Sequence, residues 1–147
     1  MKKVIPIYFT FDRYFVLAAC VAFHTLLEHA DRKYNYRLYV VYSYLRQKDF
    51  NKLKKVVSRF PNAEIFFINA ENYDTGWEKM QHKSHFSKEI FYKLAAAELF
   101  PEYDRILFSD VDVIFTDDIA PSYFLFSGEK FYFAGTRPIL ENGNLPG

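Results

Sequence analysis

Short β-type runs alternate with helix-length segments along this chain of 147 residues. Predicted strands lie at Val4–Phe9, Leu38–Tyr42, Glu64–Ile68, Ile106–Phe108 and Phe131–Ala134. Apolar residues at helical spacing predict helices at about Tyr14–Glu28, from Phe50 to Phe60, and at Ser87–Phe100. Strands that alternate with helices favour a mostly parallel sheet with right-handed crossovers. We therefore predict a single α/β domain.

Composition and charge exclude several classes of protein. Hydrophobic residues make up 50% and aromatic residues 20% of the chain, which is typical of a globular domain. A formal net charge of +1 supplies no broad basic field, so we expect no nucleic-acid partner. The longest apolar stretch, Tyr14–Leu27, is shorter than the ~20 residues of a membrane span and predicts no transmembrane segment. One cysteine, Cys20, excludes an internal disulfide and favours a reducing, cytoplasmic location.

Two carboxylates, Asp110 and Asp112, interrupt the apolar run from Arg105 to Phe115. The residues before them predict a buried strand, so both acids are expected in a half-buried position where that strand reaches the surface. Parallel α/β sheets bind ligands outside the carboxyl ends of their strands. Close carboxylates that lose hydration require a cation, a hydrogen-bond donor or a proton. A metal or phosphate site is one explanation, and a strand-end turn stabilised by Asp side chains is the other.

Two further pairs of polar residues favour structural explanations. His82 and His85 are three residues apart, but no third metal ligand lies near them in the sequence. Asp117 and Asp118 precede a helix or loop at Ser122–Phe126, and we interpret them as helix-capping residues. Neither pair enters the predicted site.

Three segments together resemble the amino-terminal half of family 8 glycosyltransferases, namely Ile5–Tyr14, Ser87–Phe100 and Ile106–Val113. This retaining family includes bacterial lipopolysaccharide galactosyl- and glucosyltransferases and glycogenin. Its first strand ends in an Asp-Asp-Asn-Tyr-like turn that contacts the uracil and ribose of a UDP-sugar. Here the turn reads Phe-Asp-Arg-Tyr, so Asp12 and Tyr14 match the family. The resemblance implies that Thr10, Asp12 and Tyr14 contact the nucleotide.

The other two segments match the family's phosphate and metal motifs. In Phe-Tyr-Lys-Leu, Lys93 stands where the family usually has an arginine that faces the sugar diphosphate. Ser-Asp-Val-Asp-Val matches the family's Leu-Asp-x-Asp-x, whose two acids hold Mn2+ against the phosphates of UDP. The resemblance implies that Asp110 and Asp112 bind Mn2+ or Mg2+, and that Lys93 and Val111 join them in contacting the donor.

The resemblance also implies a fold and a reaction. The fold is a Rossmann-like, mostly parallel sheet of the GT-A type, in which the strand before Asp12 lies beside the strand before Asp110. The reaction is retaining transfer of a hexose from a UDP-sugar to a glycan or lipopolysaccharide acceptor. Two alternatives remain open: an inactive nucleotide-sugar-binding fragment, and a metal-dependent nucleotidyltransferase.

Family members usually run well past this length. Their carboxyl-terminal half supplies a histidine as third metal ligand and much of the acceptor pocket. We therefore expect residues 1–147 to form the nucleotide-sugar- and metal-binding part of a single GT-A domain. The acceptor part is expected to be missing, and with it any peripheral membrane contact, so that this chain alone would be inactive.

Overall fold

The first strand, β1 (Val4–Thr10), is the central strand of the sheet in a computed structural model that describes residues 1–73, 92–125 and 128. On one side lie β2 (Asn35–Tyr42) and then β3 (Ala63–Asn69), and on the other lies β4 (Leu107–Phe108). All three pairings are parallel. The α/β class and the predicted neighbourhood of the first strand and the Asp110 strand are confirmed.

Helices cover one face of this sheet. A 3₁₀ helix at Arg13–Phe15 leads into α1 (Val16–Glu28), and α2 (Gln47–Val57) packs beside α1. The first face of the sheet and these helices share one apolar core, which includes Ile7, Phe9, Phe23, Leu38 and Leu53. Because β1 is covered on both faces, six of its seven residues are buried.

The opposite face carries a smaller, aromatic core. Tyr8 and Tyr39 project there from β1 and β2 and pack with Tyr92 and Phe100. A short helix, α3 (Ala96–Leu99), lies next to this cluster and ends before Pro101. A last short helix, α4 (Ala120–Phe124), contributes Ala120 to the first core. The segment between α3 and α4 carries the predicted carboxylates.

Two predicted elements differ from the structure. The helix predicted at Ser87–Phe100 is interrupted, since Lys93 and Leu94 form a turn before α3 begins. At this turn the carbonyl of Lys93 accepts a hydrogen bond from the Tyr8 hydroxyl at 2.5 Å. The predicted strand at Ile106–Phe108 is shorter and only half-buried, because among the described strands it pairs with β1 alone.

Some predictions lie outside the described residues. These are the amino-terminal part of the Ser87–Phe100 helix, the strand at Phe131–Ala134, and the histidines His82 and His85. Among the helices that the structure describes, none is long and apolar enough to cross a membrane.

Candidate functional site

The carboxyl ends of β1 and β4 lie side by side and define the candidate site. Ile7 pairs with Leu107 and Tyr8 with Phe108, and the Ser109 N–H donates to the Tyr8 carbonyl at 3.3 Å. Strand order runs from β1 outward through β2 to β3, whereas β4 lies on the opposite side of β1. The order in which strands are added to the sheet therefore reverses between β1 and β4, and at such a switch point doubly wound sheets open a ligand crevice.

The turn after β4 presents two carboxylates on either side of a buried residue. Val111 is 5% exposed and packs in the first core, whereas Asp110 and Asp112 are exposed. The chain bends at Val111, and the Ser109 hydroxyl donates to the carbonyl of Asp110 at 2.8 Å. The expectation of half-buried carboxylates is wrong, because this bend turns only Val111 inward. Desolvation therefore does not force a cation onto these acids, and their placement at the crevice is the argument for a ligand.

Lys93 reaches the first of these carboxylates from the turn before α3. Its Nζ lies 2.6 Å from Oδ1 of Asp110, and the Asp110 side chain is 53% exposed. The same ammonium lies 5.1 Å from the ring centroid of Phe108, the last residue of β4. The structure thus brings together Lys93 and Asp110, which are 17 residues apart in the sequence.

The turn after β1 is organised by Asp12. Its Oδ1 accepts a hydrogen bond from the N–H of Tyr14 at 2.8 Å, which caps the 3₁₀ helix. The Tyr14 ring is 76% exposed, and the guanidinium of Arg13 lies 4.8 Å from its centroid. Arg13 also donates to the Tyr14 hydroxyl at 2.7 Å. An exposed aromatic ring beside a guanidinium is available for a planar or anionic ligand.

Two residues of the predicted site have buried side chains. Thr10 is 6% exposed at the end of β1, and Val111 is 5% exposed after β4. Any contact between these two residues and a ligand would therefore be made by the backbone. Phe11 stands where the family has an acid and is also buried, with its ring 6.3 Å from that of Phe23. The side chains offered to a ligand are those of Asp12, Tyr14, Lys93, Asp110 and Asp112.

Tyr8 is a positioning residue that the sequence interpretation missed. Its ring is buried between Phe100 and Phe108, at centroid distances of 5.3 and 5.0 Å, and its hydroxyl fixes the backbone of Lys93. Burial raises the pKa of Tyr8 to about 12, so the hydroxyl remains a donor at neutral pH. No local pattern identifies this contact, because 85 residues separate the two partners.

Asp118 has a structural role, as its position before a helix indicated. Its Oδ1 accepts hydrogen bonds from the Tyr36 hydroxyl at 2.7 Å and from the N–H of Ala120, the first residue of α4, at 3.1 Å. The Oδ1 of Asp117 accepts from the N–H of Asp118. The N-cap of α4 is Ile119, so Asp118 bonds the first helical N–H from the position before the cap, and Asp117 stabilises the same turn.

The two carboxylates after β4 offer oxygen ligands to a cation. Asp110 and Asp112 are both exposed, and among the residues that the structure describes Lys93 pairs with Asp110 alone. Exposed carboxylate oxygens are the donors that Mg2+ and Mn2+ prefer. Within the described part of the chain, no cluster of three or more potential ligands occurs. Asp110 and Asp112 therefore fit part of a hard-cation site and leave other positions to water or phosphate.

Comparison with known proteins identifies the family. A profile of glycosyl transferase family 8 matches residues 6–137, which is most of the sequence. The chain belongs to this family. A search of curated proteins finds no match.

Solved glycosyltransferase structures share the fold. The bifunctional glycosyltransferase WbbM, in its apo form, superposes with a TM-score of 0.71 at 21% identity, over 83% of this chain and 21% of that one. The galactosyltransferase LgtC, solved with donor and acceptor sugar analogs, gives 0.61 at 20% identity, over 85% and 43%. Mouse xyloside xylosyltransferase 1, also apo, gives 0.58 at 15% identity, over 82% and 47%. The family 8 chain therefore has a GT-A fold and spans less than half the length of each of these proteins.

Proposed function

We propose that this family 8 chain supplies the nucleotide- and metal-binding part of a retaining hexosyltransferase that uses a UDP-sugar and Mn2+ or Mg2+. The carrying observation is that exposed Asp110 and Asp112 follow β4 at the switch point, beside the turn that Asp12 organises after β1. In this proposal residues 1–147 belong to a single GT-A domain. The acceptor, a glycan or lipopolysaccharide, is bound mainly by parts of the enzyme beyond this chain.

The two turns of the candidate site would bind different parts of the UDP-sugar. The turn after β1 offers Asp12 and the Tyr14 ring to the uridine. The turn after β4 offers Asp110 and Asp112 to the cation, which supplies Lewis-acid neutralisation of the departing diphosphate. Lys93 adds a positive charge. Its ammonium is a point charge and cannot form the two parallel hydrogen bonds of an arginine guanidinium. Asp110 and Asp112 would repel an anionic diphosphate, so a cation between these acids and the phosphates favours donor binding.

Calorimetric titration of UDP into the chain, with and without MnCl2, tests this proposal. We expect weak binding that requires the metal, since two carboxylates complete only part of an octahedral shell. Asp110→Asn and Asp112→Asn should each abolish metal-dependent binding without loss of the fold. Asp31→Asn is the matched control, because Asp31 is a partly exposed, lysine-paired acid before the amino end of β2, away from the carboxyl ends of β1 and β4.

The possible results separate the alternatives. Metal-dependent binding of UDP in preference to ADP, lost in both Asn variants, supports the family 8 donor site. Binding of all nucleoside triphosphates with equal affinity would favour a nucleotidyltransferase. Metal-dependent UDP binding without UDP release from UDP-glucose or UDP-galactose, even by an extended protein with an acceptor present, would favour a binding module. Unchanged affinity in the double variant would rule out the metal role of these acids.

A further inference from the structure

We infer that Lys93 makes metal binding at Asp110 conditional on a bound diphosphate. In the ligand-free chain Lys93 occupies Asp110 and competes with a cation, and in the donor complex it moves to the phosphates. Lys93 is thus a selectivity residue that opposes binding of the cation alone and favours binding of the diphosphate together with the cation. This inference rests on the proposed function.

The first step is the contact itself. Lys93 Nζ lies 2.6 Å from Oδ1 of Asp110, which is within the range of a charge-assisted hydrogen bond. Asp110 is its one polar side-chain partner among the described residues. A cation that used this oxygen would have to displace the ammonium or share the carboxylate with it. Asp112 has no ion pair in the described part of the chain, so Asp110 alone is affected by the competition.

The second step is that the backbone of Lys93 is fixed, whereas its ammonium group is not. The Lys93 carbonyl accepts the buried Tyr8 hydroxyl at 2.5 Å, which ties its backbone to β1. The side chain beyond is 33% exposed and ends over the ring of Phe108. Lysine carries a point charge on a flexible four-carbon side chain. Its ammonium can therefore change position about a fixed backbone without disturbing the fold.

The third step is electrostatic. Without nucleotide, the ammonium lowers the negative charge that Asp110 and Asp112 present to a cation, and this weakens cation binding. A diphosphate brings negative charge of its own, and the released ammonium can then pair with a phosphate oxygen. The same side chain therefore opposes the metal alone and supports the metal together with UDP.

Lys93→Met tests both effects. Mn2+ binding without nucleotide is followed by electron paramagnetic resonance, and UDP binding by calorimetry at saturating MnCl2. Removing one exposed pair should tighten binding of Mn2+ alone by roughly fivefold. Losing a charge-assisted hydrogen bond should weaken UDP binding in MnCl2 by roughly tenfold.

The chain offers a closely matched control. Lys33 Nζ lies 2.8 Å from Oδ2 of Asp31 and 5.0 Å from the ring centroid of Tyr34, so this pair reproduces the Lys93 contacts away from the crevice. Lys33→Met should leave both measurements unchanged. Lys93→Arg keeps the positive charge and should retain the weak binding of Mn2+ alone. Thermal unfolding of each variant checks that the fold is intact.

The results keep the two proposals apart. Opposite changes in Lys93→Met, with neither change in Lys33→Met, support the inference. Changes of the same sign in the two measurements, or none in Mn2+ binding alone, overturn it while metal-dependent UDP binding by the wild type still supports the proposed function. Absence of metal-dependent UDP binding in the wild type overturns both.

Discussion

The amino terminus of α2 and the turn after β4 each hold an ion-paired aspartate. The two aspartates differ in whether a carboxylate oxygen is left to accept a further hydrogen bond. Asp49 is 2% exposed, and its Oδ2 accepts from Arg46 Nε at 2.9 Å and from the Arg46 N–H at 3.0 Å. Its Oδ1 accepts from Arg46 Nη2 at 3.3 Å. Asp110 is 53% exposed and accepts from Lys93 through Oδ1 alone among the described residues.

The difference separates a structural acid from a binding acid. Both oxygens of Asp49 are used within one turn of the chain, so Asp49 has no capacity for a ligand. Asp110 keeps one oxygen for a ligand, at the point where strand order reverses. A cationic partner alone does not distinguish the two aspartates. The two aspartates are distinguished by the unused acceptor oxygen that Asp110 keeps at the switch point.

Asp49→Ala should have the largest effect on folding. The change removes the cap of α2 and the buried partner of Arg46, and we expect the free energy of unfolding to fall by about 2 to 3 kcal/mol. Urea unfolding measures this change in the free energy of unfolding. Asp31→Ala removes an exposed pair and should change stability little. Equal stability of the two variants would contradict the assignment of Asp49 as the structural acid.

A pH dependence should follow from the same residue. Hydrogen bonds from Arg46 lower the pKa of Asp49 below its ordinary value of 3.8. The stabilisation by Asp49 is therefore complete above that ordinary value and is lost as the pH falls through the lowered value. Urea unfolding at about pH 6 and about pH 2.5 should show the stability gap between wild type and Asp49→Asn narrowing in acid. A gap that widened in acid would reverse the sign of the argument.

Local patterns were sufficient to predict much of the fold. The first strand, the helix that follows it and the next two strands lie close to their predicted positions, because each carries its own apolar periodicity. The place of β4 beside β1 was also predicted, since Asp12 and Asp110 had to line one crevice. The positions of the elements needed only sequence pattern, whereas the place of β4 also depended on the family resemblance that assigned Asp12 to the crevice.

What could not be predicted depends on long-range contacts. At the turn of Lys93 and Leu94, the Lys93 carbonyl bonds a hydroxyl on β1 and the Lys93 ammonium bonds Asp110. The exposure of Asp110 follows from the inward turn of Val111. None of these contacts has a local signature, so the motif indicated which acids matter but not how they are partnered.

Asp12 lies between the two cases, and replacing it should lower stability less than replacing Asp49 does. Its Oδ1 caps its own turn through the N–H of Tyr14 at 2.8 Å, as a structural acid does. Its other oxygen has no partner among the described residues, and its position after β1 faces the same crevice as Asp110. Asp12 should therefore act both as a cap and as a ligand-binding residue.

Two substitutions of Asp12 separate these roles. Asp12→Ala removes the cap and should lower the free energy of unfolding by about 1 kcal/mol, whereas Asp12→Asn keeps an acceptor oxygen and should change it little. If the carboxylate also binds the ribose or uracil of UDP, both variants should weaken metal-dependent UDP binding, because the amide loses the charge that strengthens a hydrogen bond. Wild-type affinity in Asp12→Asn would show that Asp12 is a cap alone, and the donor site would then depend on the turn after β4.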